Sequence, residues 1–523
     1  MSVESRMKHW QGISLLTLLW LGLVLAAPLF AVPADQERAD SAYPREYRGS
    51  DGTVVLNQPV IRDWAGLRTL SGHIPLSIQT TAGDTWKGSV SFEVETRINL
   101  DERHVSLDHL QLDSWTFDQG TLPESLRGLV RDAFNEAAGH VSLDKVLRAL
   151  PADFQIPGAE NAPPRLNFDP PRIVVSDRPM RLMLIDGQPS MQAIDSTDLE
   201  YVINTDWDVF HHKPSDRWFV LDNGHWLANT MLSSGDWLTR FDLPADFETL
   251  QLNSYWPQVA AALPPRPADQ KPLPFTISYE PTELIVIDGD AQMEVIPGTV
   301  LRYVKNTRSD LFLLADRYYL LVSGRWFVTK DLKRMWSAVK QLPAAFASIP
   351  ADHEKFYVLA AVPGTEQARL AMIEAAIPRY AEVSLDAGDG LESPYAGDPS
   401  FVPIEGTNLQ RGENTPFQVI RHNNFYYLCH DGAWFSSSRP QGPWQVASEL
   451  PEAIYTIPPT DPAYNVTFVR LEKFDDSSKK AAYSQTSGYH RVYSNGYSTV
   501  YGTGWYYPGH IHTNAYGYNT DWR

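Results

Sequence analysis

Side chains able to do nucleophilic or metal chemistry near neutral pH are few in this sequence, and cysteine and histidine are the first to test. There is one cysteine, Cys429. A single thiol excludes an intrachain disulfide, a cysteine-built zinc cage and an Fe–S cluster, each of which needs more. Cys429 lies 108 residues after Leu321, in a stretch that repeats, and Leu221 takes the same place in another copy. A position filled twice by leucine is a core position, so Cys429 reads as a small buried hydrophobe. His510-Ile511-His512 puts two imidazoles on one side of an extended segment, with His490 in the same region. That offers a weak zinc or copper site; the alternative is a solvated tail. His211-His212 has no cysteine or carboxylate at ligand spacing, and His353-Glu354 lacks the second histidine of a zincin helix.

Acidic residues give one further candidate. Asp386, Asp389, Glu392 and Asp398, set among Gly388, Gly390 and Gly397, offer hard oxygens for calcium, although not at EF-hand spacing. A solvated turn is the competing reading. No nucleophile elbow, phosphate-binding loop or dinucleotide fingerprint is present, and no cofactor is implied. Paired carboxylates for glycoside hydrolysis cannot be picked from 63 acids by spacing, because folding sets their partnership.

Aromatic residues remain, at 12% of the chain. Trp226, Trp326 and Trp434 recur at one repeated position, Trp237, Trp336 and Trp444 at a second, and Phe219, Tyr319 and Tyr427 at a third. Residues repeated so regularly are expected to be mostly core, since small modules need large side chains to be stable. The other use of such a ladder is a flat platform for sugar rings or polypeptide. His225, Arg325 and Ala433, which vary between the copies, are expected to point outward.

The elements that position these residues follow from pattern. Arg6 and Lys8 precede an uncharged run from Ile13 to Phe30 that ends in Ala31-Val32-Pro33-Ala34, which predicts a signal peptide over 1–34 and an extracytoplasmic product, periplasmic or secreted. An uncleaved anchor would be the chain's one tie to a membrane. A net charge of −19 argues against a nucleic-acid partner. From 43 to 151 an α+β domain is expected. Val90, Phe92, Val94, Thr96 and Ile98 alternate on one strand face, and Thr121 with Glu124 forms a capping box before the helical stripe Leu126, Leu129, Val130, Ala133 and Phe134. Ser142 is placed to cap a second helix.

The chain then repeats itself. Asn204-Thr205, Phe210, Gly224-His225-Trp226, Trp237 and Leu243-Pro244 return as Asn306-Thr307, Phe312, Gly324-Arg325-Trp326, Trp336 and Leu342-Pro343, and again as Asn414-Thr415, Gly432-Ala433-Trp434, Trp444 and Leu450-Pro451. Three related small antiparallel β modules are expected at 173–263, 281–362 and 389–470. Asp186-Gly187 and Asp288-Gly289 read as tight hairpin turns, as do Ser323-Gly324 and Asp431-Gly432. Each module is expected to close with a short apolar strand: Val259 to Leu263, Tyr357 to Val362 and Val466 to Val469. A proline-rich spacer fills 264–280, and a connector over 363–388 holds a helix capped by Thr365. Residues 471–523 form a Tyr/Gly-rich tail that should have no core of its own and should adhere to another surface or to the modules.

With Tyr426-Tyr427, Gly432-Ala433-Trp434-Phe435 and Gly442-Pro443-Trp444 in view, the chain resembles a group of largely uncharacterised exported bacterial proteins often labelled carbohydrate-binding family V/XII. The resemblance implies a sugar ligand, with Tyr427, Trp434 and Trp444 as the matching positions. The expected function is therefore that of a non-enzymatic multi-module binding protein for cell-envelope or extracellular polysaccharide. Two alternatives stand beside it: an envelope assembly factor working through protein contacts of the tail, and a hydrolase whose acids sit in the leading domain.

Overall fold

A computed structural model describes residues 43–505, except 138–139, 158–163, 186, 234–236, 253–255, 268–270, 394 and 396. The expected signal peptide and the His510 and His512 pair lie outside the described residues. The protein is mostly β, with several antiparallel sheets and few helices, and among the described residues no helix is long and apolar enough to cross a membrane. The chain divides into two compact units at residue 160/161.

The first unit is one antiparallel sheet of β1 (Arg45–Gly49), β2 (Gly52–Leu56), β3 (Val60–Ala65), β4 (Thr69–Thr80), β5 (Thr85–Asn99), β6 (His104–Phe117) and β7 (His140–Ser142). Two helices, α1 (Glu124–Ala137) and α2 (Leu143–Ala149), accompany it, α1 touching β2 and α2 touching β3 and β7. Val90, Phe92, Val94 and Thr96 are all buried, as alternation required. The polar member is satisfied: Thr96 Oγ1 accepts from Trp64 Nε1 at 2.9 Å and donates to the Arg68 carbonyl at 2.8 Å. Helix α1 starts later than expected. Its first acceptor is the Pro123 carbonyl, so Thr121 lies outside the helix and Glu124 pairs instead with Arg131 at 2.8 Å. Ser142 does stand at the N-cap of α2, without a side-chain capping bond.

The second unit begins with β8 (Arg172–Ser176) and β9 (Arg181–Leu184), followed by three six-stranded antiparallel meanders. Sheet I comprises β10 (Met191–Ala193), β11 (Leu199–Val202), β12 (Asp208–His212), β13 (Arg217–Asp222), β14 (His225–Asn229) and β15 (Leu238–Thr239), and is followed by α3 (Pro257–Ala261). Then come β16 (Phe275–Ser278) and β17 (Thr282–Val286). Sheet II comprises β18 (Met293–Val295), β19 (Arg302–Val304), β20 (Asp310–Leu314), β21 (Arg317–Val322), β22 (Arg325–Thr329) and β23 (Ser337–Ala338). Helix α4 (Glu366–Ala376) and β24 (Arg379–Ser384) lead to sheet III: β25 (Phe401–Pro403), β26 (Leu409–Gly412), β27 (Gln418–His422), β28 (Phe425–His430), β29 (Ala433–Ser437) and β30 (Gln445–Val446). Last are β31 (Val469–Asp475), β32 (Lys480–Gln485), β33 (Val492–Ser494) and β34 (Thr499–Tyr501).

Register carries the repeat into three dimensions. Phe210 opposes Phe219 in sheet I, Phe312 opposes Tyr319 in sheet II and Ile420 opposes Tyr427 in sheet III. On the next strand pair, Leu221 opposes Trp226, Leu321 opposes Trp326 and Cys429 opposes Trp434. Cys429 is thus a core residue in a leucine's place, buried, with its thiol pushed well above the ordinary range by desolvation. The strand pairs are joined by two-residue turns, Asn223-Gly224, Ser323-Gly324 and Asp431-Gly432, in which both residues have positive φ. That is the turn geometry whose twist suits a hairpin.

Several expectations change. Asp288-Gly289 is a bend rather than a hairpin turn, because β17 pairs in parallel with β8 while β18 pairs with β19. The closing segments are helical turns, not strands: α3 in the first copy and 3-10 turns at Phe356–Ala361 and Pro462–Phe468 in the others. Val259, Val358, Leu359 and Val466 in these turns are buried, and in each copy the last turn accepts the indole N–H of the repeated tryptophan. Trp226 donates to Ala262 at 3.0 Å, Trp326 to Ala361 at 2.8 Å and Trp434 to Val469 at 3.0 Å. Residues 264–280 do not act only as a spacer, because β16 pairs in parallel with β9 against sheet I, where Phe275 and Met183 join one core. β17 and β8 do the same for sheet II, where Ile285 is buried and Ile173 packs against the cluster. Both faces of these sheets are apolar, so each must be covered.

The connector helix runs as predicted, with Thr365 Oγ1 accepting from Ala368 N at 3.2 Å. The described part of the tail, residues 471–505, packs on the modules, one of the two surfaces expected for it, and does so as strands of a sheet. β32 pairs with both β24 and β31, and Tyr483 is fully buried, its hydroxyl donating to the carbonyls of Trp434 at 2.9 Å and Ala447 at 3.1 Å.

Candidate functional site

The residues expected to bind a sugar differ in exposure. Trp434 is 0% exposed and Trp444 2% exposed, while Tyr427 is half-buried and its phenol is raised by desolvation. Asp386 and Asp389 are exposed and sit on one turn, where the Asp389 amide donates to the Asp386 carbonyl at 2.9 Å. No group of three or more potential metal ligands occurs among the described residues. His225, Arg325 and Ala433 are all buried, against the expectation that they point outward. They start the strand after each hairpin tip, and what covers those tips differs between the copies.

At the tip of sheet II, β34 lies across Ser323-Gly324. The Tyr501 amide donates to the Ser323 carbonyl at 3.0 Å, and the backbone of 499–500 passes so close to Gly324 that a Cβ there would clash with it. Arg325, 1% exposed, ties the contact down. Its Nε donates to the Asn167 carbonyl at 2.9 Å, Nη1 to Ser323 at 3.1 Å and Tyr501 at 2.9 Å, and Nη2 to Gly502 at 2.8 Å. Close by, Asp310 at the start of β20 is paired with Lys355 Nζ at 2.8 Å and accepts from the Tyr357 hydroxyl. At the tip of sheet III, Gln485 lies against Gly432 and the Tyr489 hydroxyl accepts from the Gly432 amide at 3.2 Å. Gln418 stands there in place of the aspartate.

Sheet I keeps neither arrangement. Among the described residues nothing lies within 4 Å of where a Gly224 Cβ would be, and the tip borders a cleft of about 610 Å³. The cleft is lined by Asp206, Asp208 and Asp222, by Arg181 and Arg266, and by Trp207 and Gln258 among others. Asp208 is the counterpart of Asp310, but Trp256 and Gln258 replace Lys355 and Tyr357 when positions are counted back from the alanine that accepts the repeated Trp bond. Deprived of that cation, Asp208 is raised by desolvation and makes no side-chain bond among the described residues. Asp222 is 1% exposed and paired with Arg181. Arg181 in turn lies 4.5 Å from the centre of the Trp207 ring, and burial pushes its guanidinium down from the ordinary value. The cleft thus sets Asp208, a carboxylate with no cation partner among the described residues, beside guanidinium donors, which suits a ligand with hydrogen-bond groups of both kinds.

Sequence reading missed this site. The signal lay in the repeat itself, in the loss of Lys355 and Tyr357 from the first copy while the aspartate is kept. It required aligning the closing segments, which follow loops of unequal length. Compared with known proteins, the sequence matches no family model, and no curated protein or solved structure is significantly similar to it.

Proposed function

We propose that the chain is an exported, non-enzymatic binding protein of the cell envelope, in which an α+β domain is followed by three copies of one β-rich module and the first copy holds the ligand. The observation that carries this reading is the open cleft at Asn223-Gly224, at a position that the chain itself fills in the other two copies. Leaving Asp208 desolvated without a cation gives up stability, and natural chains make that concession at functional sites. The ligand classes are an envelope polysaccharide, as the resemblance implies, and an envelope polypeptide. Both can donate to the carboxylates and accept from Arg181 and Arg266. A hydrolase has one observation in its favour: Asp208 in the cleft holds its proton to higher pH than an ordinary carboxyl, as a general acid must.

Retention on insoluble polysaccharide and glycan arrays, compared between the native chain and Gln258→Trp, tests this reading. Gln258 is exposed on the cleft wall, and an indole there fills the space. Retention weakened about tenfold, or 1.4 kcal/mol, is expected for a sugar ligand. Retention unchanged in the filled variant places any sugar elsewhere. Release of reducing ends that Asp208→Asn abolishes would make the protein a hydrolase.

A further inference from the structure

The two filled hairpin tips indicate what the empty one takes. In both, the covering group is polypeptide from beyond sheet III: residues 499–502 on Ser323-Gly324, and Gln485 with Tyr489 on Asp431-Gly432. At sheet III side chains, the Gln485 amide and the Tyr489 hydroxyl, cover the tip, whereas at sheet II the recognition is of backbone. At sheet II the tip carbonyl accepts an amide from the visiting strand, a guanidinium holds two successive carbonyls of that strand, and glycine at the tip lets the two backbones approach. Such contacts read an extended chain rather than a particular side chain.

Sheet I has the same tip, with Asn223 and Gly224 in the same positive-φ turn, and the same register behind it. It has lost the arginine at the start of β14, where His225 stands, but the cleft supplies other guanidiniums, Arg181 and Arg266. Beside the Arg181–Asp222 pair it also sets Asp206 and Asp208, and Asp208, unlike Asp310 near the sheet II tip, has no cation partner among the described residues. We infer that the sheet I cleft binds an extended, glycine-containing polypeptide segment of a partner protein, neutral to basic in charge, lying across Asn223-Gly224 as residues 499–502 lie across Ser323-Gly324. The guanidiniums take its carbonyls, and the carboxylates take its amides and any lysine or arginine it carries. This rests on the assignment of the cleft as the binding position and names the partner's chemistry.

The probe is a synthetic peptide with the sequence of residues 499–505, made also with one added lysine, and bearing a photo-crosslinking phenylalanine in place of its tyrosine. It is titrated onto the native chain and onto Gln258→Trp, and crosslinks are mapped by mass spectrometry. The expected result is crosslinks at 206–208, 222–224 and 258–266 that fall at least tenfold in Gln258→Trp. The lysine peptide binds more tightly, and its advantage shrinks with salt, as screened charge requires. Crosslinks confined to the sheet II tip overturn the inference, since the peptide would then only replace the chain's own strand. Failure of the peptide to bind, alongside polysaccharide retention lost in Gln258→Trp, also overturns it but leaves the cleft as the binding position. If filling the cleft affects neither ligand class, both fall.

Discussion

Asp208 and Asp310 are the same residue in two copies and have opposite energetics. Asp310 is held by Lys355 in a nearly dry pair, so Asp310→Ala leaves a buried ammonium without its charge partner and should cost about 3–5 kcal/mol in chemical denaturation. Asp208 has only the desolvation. Its folded-state pKa lies above the ordinary carboxyl value, so the folded chain binds more protons than the unfolded one in the interval between them, and stability falls as pH rises through it. Asp208→Asn should therefore raise Tm at pH 7, and the gain should vanish below the ordinary carboxyl range, as a pair of calorimetric scans would reveal. Cys429 is equally decided by its surroundings. Burial holds the thiol protonated, so a thiol reagent should react with it only as fast as the unit opens.

At the scale of elements, one indole N–H per copy joins a sheet to its closing turn. Trp326→Phe keeps the ring but strips the Ala361 carbonyl of its donor, and should cost about 1–3 kcal/mol by denaturant titration. Arg325 does similar work at longer range, because four backbone carbonyls from three separated segments converge on it. Arg325→Met should release β34 from sheet II while the sheet itself persists. Hydrogen exchange would then rise at Tyr501, whose amide is bonded to Ser323, with little change at 317–322. Exchange unchanged at Tyr501 would mean that the strand holds without the arginine.

For the whole second unit, the copies are not beads on a string. β8 and β9 lie on sheets II and I respectively, and so do β17 and β16, so two continuous stretches of chain each serve both sheets. A fragment ending at Leu263 lacks β16 and bares Met183 and its neighbours, so it should expose apolar surface and bind a hydrophobic dye where the native chain does not. A chain ending at Arg470 loses β32 and with it the buried Tyr483, and sheet III should fail to unfold cooperatively.

What sequence alone settled was local or repeated. Period-two alternation placed the faces of β5, glycines marked the hairpin tips, Thr365 set the start of α4, and three-fold recurrence put Cys429 and the tryptophans in the core. These follow from the backbone's small menu of geometries and from the need to bury apolar side chains, and both are legible in a window of a few residues. Which surface covers which is not local. An apolar strand and an apolar helical turn look alike over five residues, so the closing turns were read as strands. A tyrosine-rich tail shows that it must adhere to some surface but carries no mark of the sheet it joins, so its pairing as β32 is not legible in the sequence. The cleft depended on both, because a hairpin tip is a site only where no other part of the chain has come to lie on it. Tertiary structure decided that, by bringing residues 485–502 over two tips and leaving Asn223-Gly224 uncovered by any described residue.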